Sequence, residues 1–69
     1  MNEKRAVMME NYRFTAFGDE GETLFNEVWT FENDEQAKQE GHKLVEEKGV
    51  INKAHRLINA KGKILIYHV

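Results

Sequence analysis

The segment TLFNEVWTFENDEQ, residues 23–36, changes its hydrophobic period from that of a strand to that of a helix. Thr23–Phe31 alternates its side chains as a β-strand does, with apolar residues on both faces. Asn33 and Gln36 then have the spacing of a capping box, in which side chains hydrogen-bond the backbone N–H groups of a first helical turn. The sequence therefore predicts a strand that is followed at once by a helix.

The predicted helix continues to Gly49, where a glycine can adopt the left-handed conformation that ends many helices. Its inward face, at helical spacing, consists of Ala37, Gly41, Leu44 and Val45. Gly41 lowers helix propensity by about 1 kcal/mol relative to alanine, so its place on this face predicts a close approach of the helix to a sheet. Val50 is placed to pack on Val45, as in a Schellman ending.

One further strand is predicted before this segment and two are predicted after it. Tyr12–Phe17 is rich in aromatic and β-branched residues, and the polar tetrad Gly18–Gly21 predicts a hairpin loop after it. After the helix, Ile51–Asn59 and Ile64–Val69 predict a second hairpin around a turn at residues 60–63.

The register of the second hairpin follows if Lys61 and Gly62 form a two-residue loop. The facing pairs are then His55 with His68, Arg56 with Tyr67, Leu57 with Ile66, and Ile58 with Leu65. This register places apolar residues opposite apolar residues, which favours it over a register shifted by one.

Together these segments predict an α+β fold with a ββαββ layout, a two-layer sandwich in which a four-stranded, mainly antiparallel sheet carries one helix on one face. Residues 1–10 show no sustained period and predict a flexible N-terminal leader, and residues 11–69 predict a single α+β domain. The apolar run Ile64–Tyr67 is typical of a strand buried on both faces. We therefore expect the C-terminal strand near the middle of the sheet.

The composition argues against several classes of function. The 69 residues include no cysteine, which excludes disulfide scaffolds, thiol nucleophiles and cysteine-based metal sites. There is also no serine and no spacing typical of a hydrolase or a phosphate-binding loop, so the sequence predicts no enzyme activity and no cofactor. The longest apolar runs hold four residues, and no signal-peptide pattern is present. We expect a cytoplasmic protein that does not contact a membrane.

One helix covers only one face of a sheet, so apolar residues on the other face need a partner. Most soluble oligomers are closed homo-oligomers. The leading prediction is therefore a non-enzymatic homodimer that acts through protein interaction, with itself or with an unidentified protein partner. The interface candidates are Trp29, Ile58, Leu65 and Tyr67.

The alternative is a nucleic-acid-binding module on the basic C-terminal hairpin, where aromatic rings stack on bases and cations hold phosphates. Its candidate residues are Lys53, Arg56, Lys61 and Lys63. The formal net charge of −2 at pH 7 argues against nucleic acid as the partner, which keeps this function second.

Two histidines are weak candidates for a metal site. The predicted register brings His55 and His68 within joint reach of one ion. Structural and catalytic zinc sites have four or three protein ligands, and a further ligand for such a site would have to be His42 on the helix or the carboxylate of Val69. The sequence therefore predicts no metal.

Six short segments carry a resemblance to a known family: Glu22-Thr23-Leu24, Glu32-Asn33-Asp34, Ala37-Lys38, Glu46-Glu47-Lys48-Gly49, His55-Arg56 and Gly62-Lys63-Ile64-Leu65. In these segments the chain resembles the YhzD-like family of small proteins from Bacillus-type bacteria, over about residues 11–69. The resemblance implies a bacterial cytosolic origin. It implies no activity and transfers no functional residue, so the function has to be argued from the residues themselves.

Overall fold

A computed structural model describes residues 8–69 as four strands and one helix in the predicted ββαββ order. The elements are β1 (Glu10–Phe17), β2 (Thr23–Phe31), α1 (Asp34–Glu47), β3 (Ala54–Ile58) and β4 (Ile64–His68). All strand pairs are antiparallel, and α1 packs on one face of the four-stranded sheet. The predicted α+β fold is therefore confirmed.

The predicted N-terminal leader falls largely outside the described residues, which exclude 1–7. Its last residue, Glu10, already belongs to β1, where it pairs with Phe31 of β2. The first strand thus begins two residues before the predicted start at Tyr12.

The start of α1 follows the predicted capping box. The Asn33 side chain accepts a hydrogen bond from the Gln36 backbone N–H at 2.8 Å. The Gln36 side chain accepts from the Glu32 backbone N–H at 2.6 Å, one residue earlier than in the standard box. Asp34 and Glu35 lie in the first turn, where negative charge interacts favourably with the helix dipole.

The end of α1 is the predicted Schellman motif. Gly49 has a φ of +75°, and its N–H donates to the Glu46 carbonyl at 3.0 Å. The Val50 N–H donates to the Val45 carbonyl at 3.3 Å, and both valine side chains are buried.

Within residues 8–69, no helix is long and apolar enough to cross a membrane.

The strand order is β2-β1-β3-β4, so the expectation that the C-terminal strand lies near the middle of the sheet is wrong. The central strands are β1 and β3, and β4 is an edge strand whose Ile64 and Tyr67 are exposed. In β1 the alternating residues Tyr12, Phe14 and Ala16 are all fully buried, because hydrogen-bonded neighbours flank this strand on both sides. The deepest burial thus falls on alternating residues rather than on the continuous apolar run.

The register of the second hairpin confirms three of the four predicted pairs, His55 with His68, Arg56 with Tyr67, and Leu57 with Ile66. The fourth prediction is wrong, since Ile58 pairs with Ile64 and not with Leu65. The physical reason lies in the turn. Gly62 takes a φ of +89°, and the Asn59 N–H donates to the Lys63 carbonyl at 2.9 Å. The loop therefore holds three residues instead of two, and a bulge in β4 restores the predicted register.

Candidate functional site

The sheet has one face covered by α1 and one face that no described element covers. The alternating burial of β1, β2 and β3, and the pairing of β4 with β3, separate the two faces. We call the uncovered side the open face; its strand residues are Asn11, Arg13, Thr15, Phe17, Thr23, Asn26, Val28, Thr30, Ala54, Arg56, Ile58, Ile64 and Tyr67.

The charges on the open face all have one sign. Arg13 and Arg56 are both exposed there, and none of its strand residues is acidic. The two acidic strand residues, Glu10 and Glu27, lie on the helix side with Phe31 and Phe14 as their partners. The open face therefore carries a charge of about +2, although the formal charge of the whole chain is −2.

The two arginines are diagonal neighbours on the central strands. Arg13 of β1 faces Ile58 of β3, and Thr15 faces Arg56, so the two positions are about 7–8 Å apart. One hydrogen bond fixes Arg13, whose Nη1 donates to Asn26 Oδ1 at 2.9 Å. Asn26 is neutral, so this bond leaves the positive charge of Arg13 uncompensated.

Aromatic rings flank Arg56 at one end of the open face. Tyr67 stands directly opposite Arg56 on the edge strand and is 64% exposed. Phe17 is half-buried and lies diagonally across on β1. These three side chains help to line an open pocket of about 300 Å³. The end of the face thus offers a cation between two aromatic side chains.

The structure brings together only two of the four predicted interface residues. Ile58 and Tyr67 lie on the open face. Trp29 lies on the helix side, where its ring stacks on Phe14 with centroids 4.4 Å apart. Leu65 occupies the bulge of β4 and packs partly buried against the core.

The four predicted basic residues are not gathered into one patch. Lys53 precedes β3 and forms an exposed ion pair with Asp19 at 3.1 Å. Lys61 and Lys63 lie at the other end of β3, beyond its five residues, a separation of about 17 Å. Of the four, Arg56 alone is a strand residue of the open face.

The sequence reasoning missed Arg13, which is the other cation of the open face. A signal for it was present in the alternation of β1. Tyr12, Phe14 and Ala16 share the buried side, so Arg13 and Thr15 must share the opposite one. What the sequence did not supply was the neighbour of β1, because only the observed pairing with β3 places Arg13 next to Arg56.

The acid on the helix side is paired. The Trp29 indole N–H donates to Glu27 Oε1 at 2.8 Å, and Lys48 Nζ lies 3.1 Å from both carboxylate oxygens. The indole first, and then the ammonium, hold the pKa of Glu27 below its usual range. Lys48 also sits 4.5 Å from the centre of the Phe25 ring. Glu27 is therefore charge-compensated by Lys48, whereas Arg13 and Arg56 have no acidic partner among the strand residues of the open face.

The two facing histidines lie on the helix side at the end of β3 and β4. Their ring centroids are 5.4 Å apart, with 31° between the ring planes. His55 is buried, and its Nδ1 lies 2.7 Å from the Lys53 carbonyl oxygen. Among residues 8–69, no third histidine or carboxylate completes a group of three potential ligands.

Comparison with known proteins places the chain in a family. Residues 9–69 match the YhzD-like protein family. The chain belongs to the YhzD-like family. It is 42% identical over 60 residues to "Uncharacterized protein YhzD" of Bacillus subtilis (strain 168), an alignment that covers 87% of this chain and 98% of the relative. No solved structure matches.

In this member of the YhzD-like family, the open face presents groups whose chemistry suits anionic and planar ligands. Its arginines can hold an anion with paired N–H donors. Its exposed tyrosine can stack on a planar group, and its threonines and asparagines can exchange hydrogen bonds with polar edges.

Proposed function

We propose that this chain is a non-enzymatic, cytoplasmic module that binds single-stranded nucleic acid on the open face. The observation that carries the proposal is the pair Arg13 and Arg56, which are diagonal neighbours on the two central strands with no acidic strand residue on their face. An exposed aromatic residue, Tyr67, stands directly opposite one of them.

The arginine pair favours an anionic partner. Two positive charges at this separation repel each other, and an anion that contacts both arginines removes that repulsion. Phosphate suits this role because the guanidinium fork matches its oxygens in pairs. The single hydrogen bond from Arg13 to neutral Asn26 leaves further N–H donors for such a contact.

The aromatic residues favour nucleic acid over an acidic protein. Tyr67 is exposed and Phe17 is half-buried at the same end of the face, so each can present ring surface to a base. Stacking of a base on an aromatic side chain contributes about 1–3 kcal/mol and tolerates any base sequence. Thr15 and Asn26 complete a polar row beside Arg56 and can hydrogen-bond base edges.

The shape of the face favours single strands. Bases in a duplex are stacked on each other and cannot stack on a sheet, whereas unpaired bases can be splayed over one. Across its four strands, and along the five residues of the shorter strands β3 and β4, the face measures about 19 by 17 Å. A surface of this size holds two or three bases, the number that other sheet-based RNA-binding modules stack.

The homodimer predicted from the sequence remains a prediction, and the open face supports it less well. Two copies joined through this face would bring together two Arg13 and two Arg56 side chains without an opposing carboxylate. A positive surface thus suits an anionic strand better than its own copy.

A fluorescence anisotropy titration with labelled eight-residue oligo(dT) and oligo(U) tests the proposal. The double variant Arg13→Gln/Arg56→Gln is expected to bind more weakly. Its log–log salt dependence should be less steep by about 1.4, because two phosphate contacts are lost at about 0.7 each. The matched control, Lys38→Gln/Lys43→Gln, removes two exposed positive charges from α1 and should keep both affinity and slope.

A Tyr67→Ala variant separates stacking from charge. The loss of one stacked base is expected to weaken binding by about 1–3 kcal/mol while the salt slope stays unchanged. Equal binding by the wild type and the arginine variant would contradict the proposal. So would a dimer in sedimentation equilibrium that Val28→Glu dissociates, since this exposed valine would then lie in a seam between copies.

A further inference from the structure

We propose that His55 and His68 form a two-histidine binding site for a divalent transition-metal ion such as Zn²⁺, Ni²⁺ or Cu²⁺. The two histidines border the same end pocket as Arg56 and Tyr67, but the inference rests on the contact between their rings and not on the arginine pair, so it does not depend on the proposed function. The two histidines are directly opposite each other on β3 and β4. Paired central and edge strands therefore hold them at a fixed separation.

The orientation of His55 is set by a second contact. Its Nδ1 lies 2.7 Å from the Lys53 carbonyl oxygen, which can only accept, so Nδ1 carries the proton and donates. In the neutral ring the lone pair is then on Nε2. Metal-ligating histidines show this same arrangement, in which the second ring nitrogen donates to a backbone carbonyl and fixes the ligand. Burial of His55 further limits the rotation of its ring.

The spacing of the two rings matches chelation. A tetrahedral ion with metal–nitrogen bonds of about 2.0–2.1 Å places two imidazole centres about 5 Å apart. The observed centroid distance is 5.4 Å, with 31° between the planes. His68 is exposed, so its side chain can change rotamer and turn its ring toward an ion held at His55 Nε2.

Only two protein ligands hold the ion, and this determines the affinity of the site and the metals that it selects. Since no third protein ligand is grouped with the pair within residues 8–69, water completes the coordination. Affinity should follow the Irving–Williams order, with Cu²⁺ bound more tightly than Ni²⁺ or Zn²⁺. Mg²⁺ should not compete, because it prefers oxygen ligands.

The test is a titration of the full chain with ZnCl₂ and with CuCl₂ at pH 7.5. Binding is measured by isothermal calorimetry and by NMR of the histidine rings. The expected result is one ion per chain and shifts of both the His55 and the His68 rings. Replacing the exposed ligand, in His68→Gln, should weaken binding at least tenfold. The control His42→Gln removes the exposed histidine of α1 and should leave binding unchanged.

A His55→Gln variant should also lose binding, and circular dichroism will show whether this buried substitution has unfolded the chain. The exposed His68 keeps the inference testable in either case. The inference is overturned if His68→Gln binds either ion as tightly as the wild type. It is also overturned if His42→Gln is the variant that loses binding, or if neither ion binds at 1 mM.

Discussion

The phenol of Tyr12 ties a central strand to the first turn of the helix. Its hydroxyl donates to Asp34 Oδ1 at 3.0 Å, and the ring is fully buried against Phe31 with centroids 5.4 Å apart. The other Asp34 oxygen accepts from Asn59 Nδ2 at 3.1 Å. One carboxylate thus joins β1, α1 and the turn of the second hairpin.

This contact predicts how stability changes at alkaline pH. Burial, and then the hydrogen bond to Asp34, raise the pKa of Tyr12 from 10.0 to about 12. Folding therefore favours the neutral phenol. The contribution of Tyr12 to the free energy of unfolding is complete below pH 10 and is lost as the pH rises through about 12. Urea unfolding at pH 9, 10.5 and 11.5 should show a fall in stability that Tyr12→Phe largely removes.

The exposed tyrosine provides the control for this prediction. Tyr67→Phe should keep the alkaline dependence of the wild type, because its hydroxyl has no such buried contact in the described residues. If Tyr12→Phe kept the full dependence and Tyr67→Phe lost it, the assignment to Tyr12 would be wrong.

At the scale of the elements, the helix lies unusually close to the sheet at Gly41. A Cβ atom at this position would stand 3.0 Å from Leu57 Cδ2 and 3.2 Å from Ile66 Cδ1. The absence of a side chain therefore sets the distance between the two layers, as its place on the apolar stripe predicted.

The close approach predicts the effect of filling this position. Gly41→Val should lower the free energy of unfolding by about 1–3 kcal/mol, because the added methyl groups have no room in a packed core. Gln39→Val, on the exposed side of the same helix, should cost only a few tenths of a kcal/mol of helix propensity. Urea midpoints compare the two, and equal midpoints would contradict the close packing.

The elements also show which parts of the fold are predictable from sequence. Helix ends depend on local contacts between side chains and backbone, so Asn33 and Gly49 mark them correctly. Strand order depends on contacts between distant segments, and the apolar run of β4 gave the wrong position for that strand. The register near Gly62 failed because a loop of three residues and one of two differ only in backbone geometry.

At the scale of the whole molecule, the two sides of the sheet differ in charge. The strand residues of the open face carry two arginines and no carboxylate, whereas α1 on the other side carries five acidic residues against two lysines. In the proposed function this polarity would orient a nucleic acid, because the phosphates are attracted to one face and repelled by the other side. The net charge of the chain does not reveal this difference between the two sides, because it is the sum over both of them.

The candidate site was only partly predictable for the same reason. Arg56 and Tyr67 follow from the register of one hairpin, which is local in sequence. Arg13 belongs to the other hairpin, and its place beside Arg56 depends on the pairing of β1 with β3. A pattern within one segment carries no information about which distant segment becomes its neighbour.

An NMR titration of the isotope-labelled chain with oligo(U) tests whether the open face binds single-stranded nucleic acid. The proposal requires shifts of the Arg13 and Arg56 Nε–H signals and of the Tyr67 ring. The Trp29 indole N–H, which is engaged with Glu27 on the helix side, should not move. Shifts confined to α1 or to the hairpin turn, or no shifts at millimolar oligo(U), would contradict it.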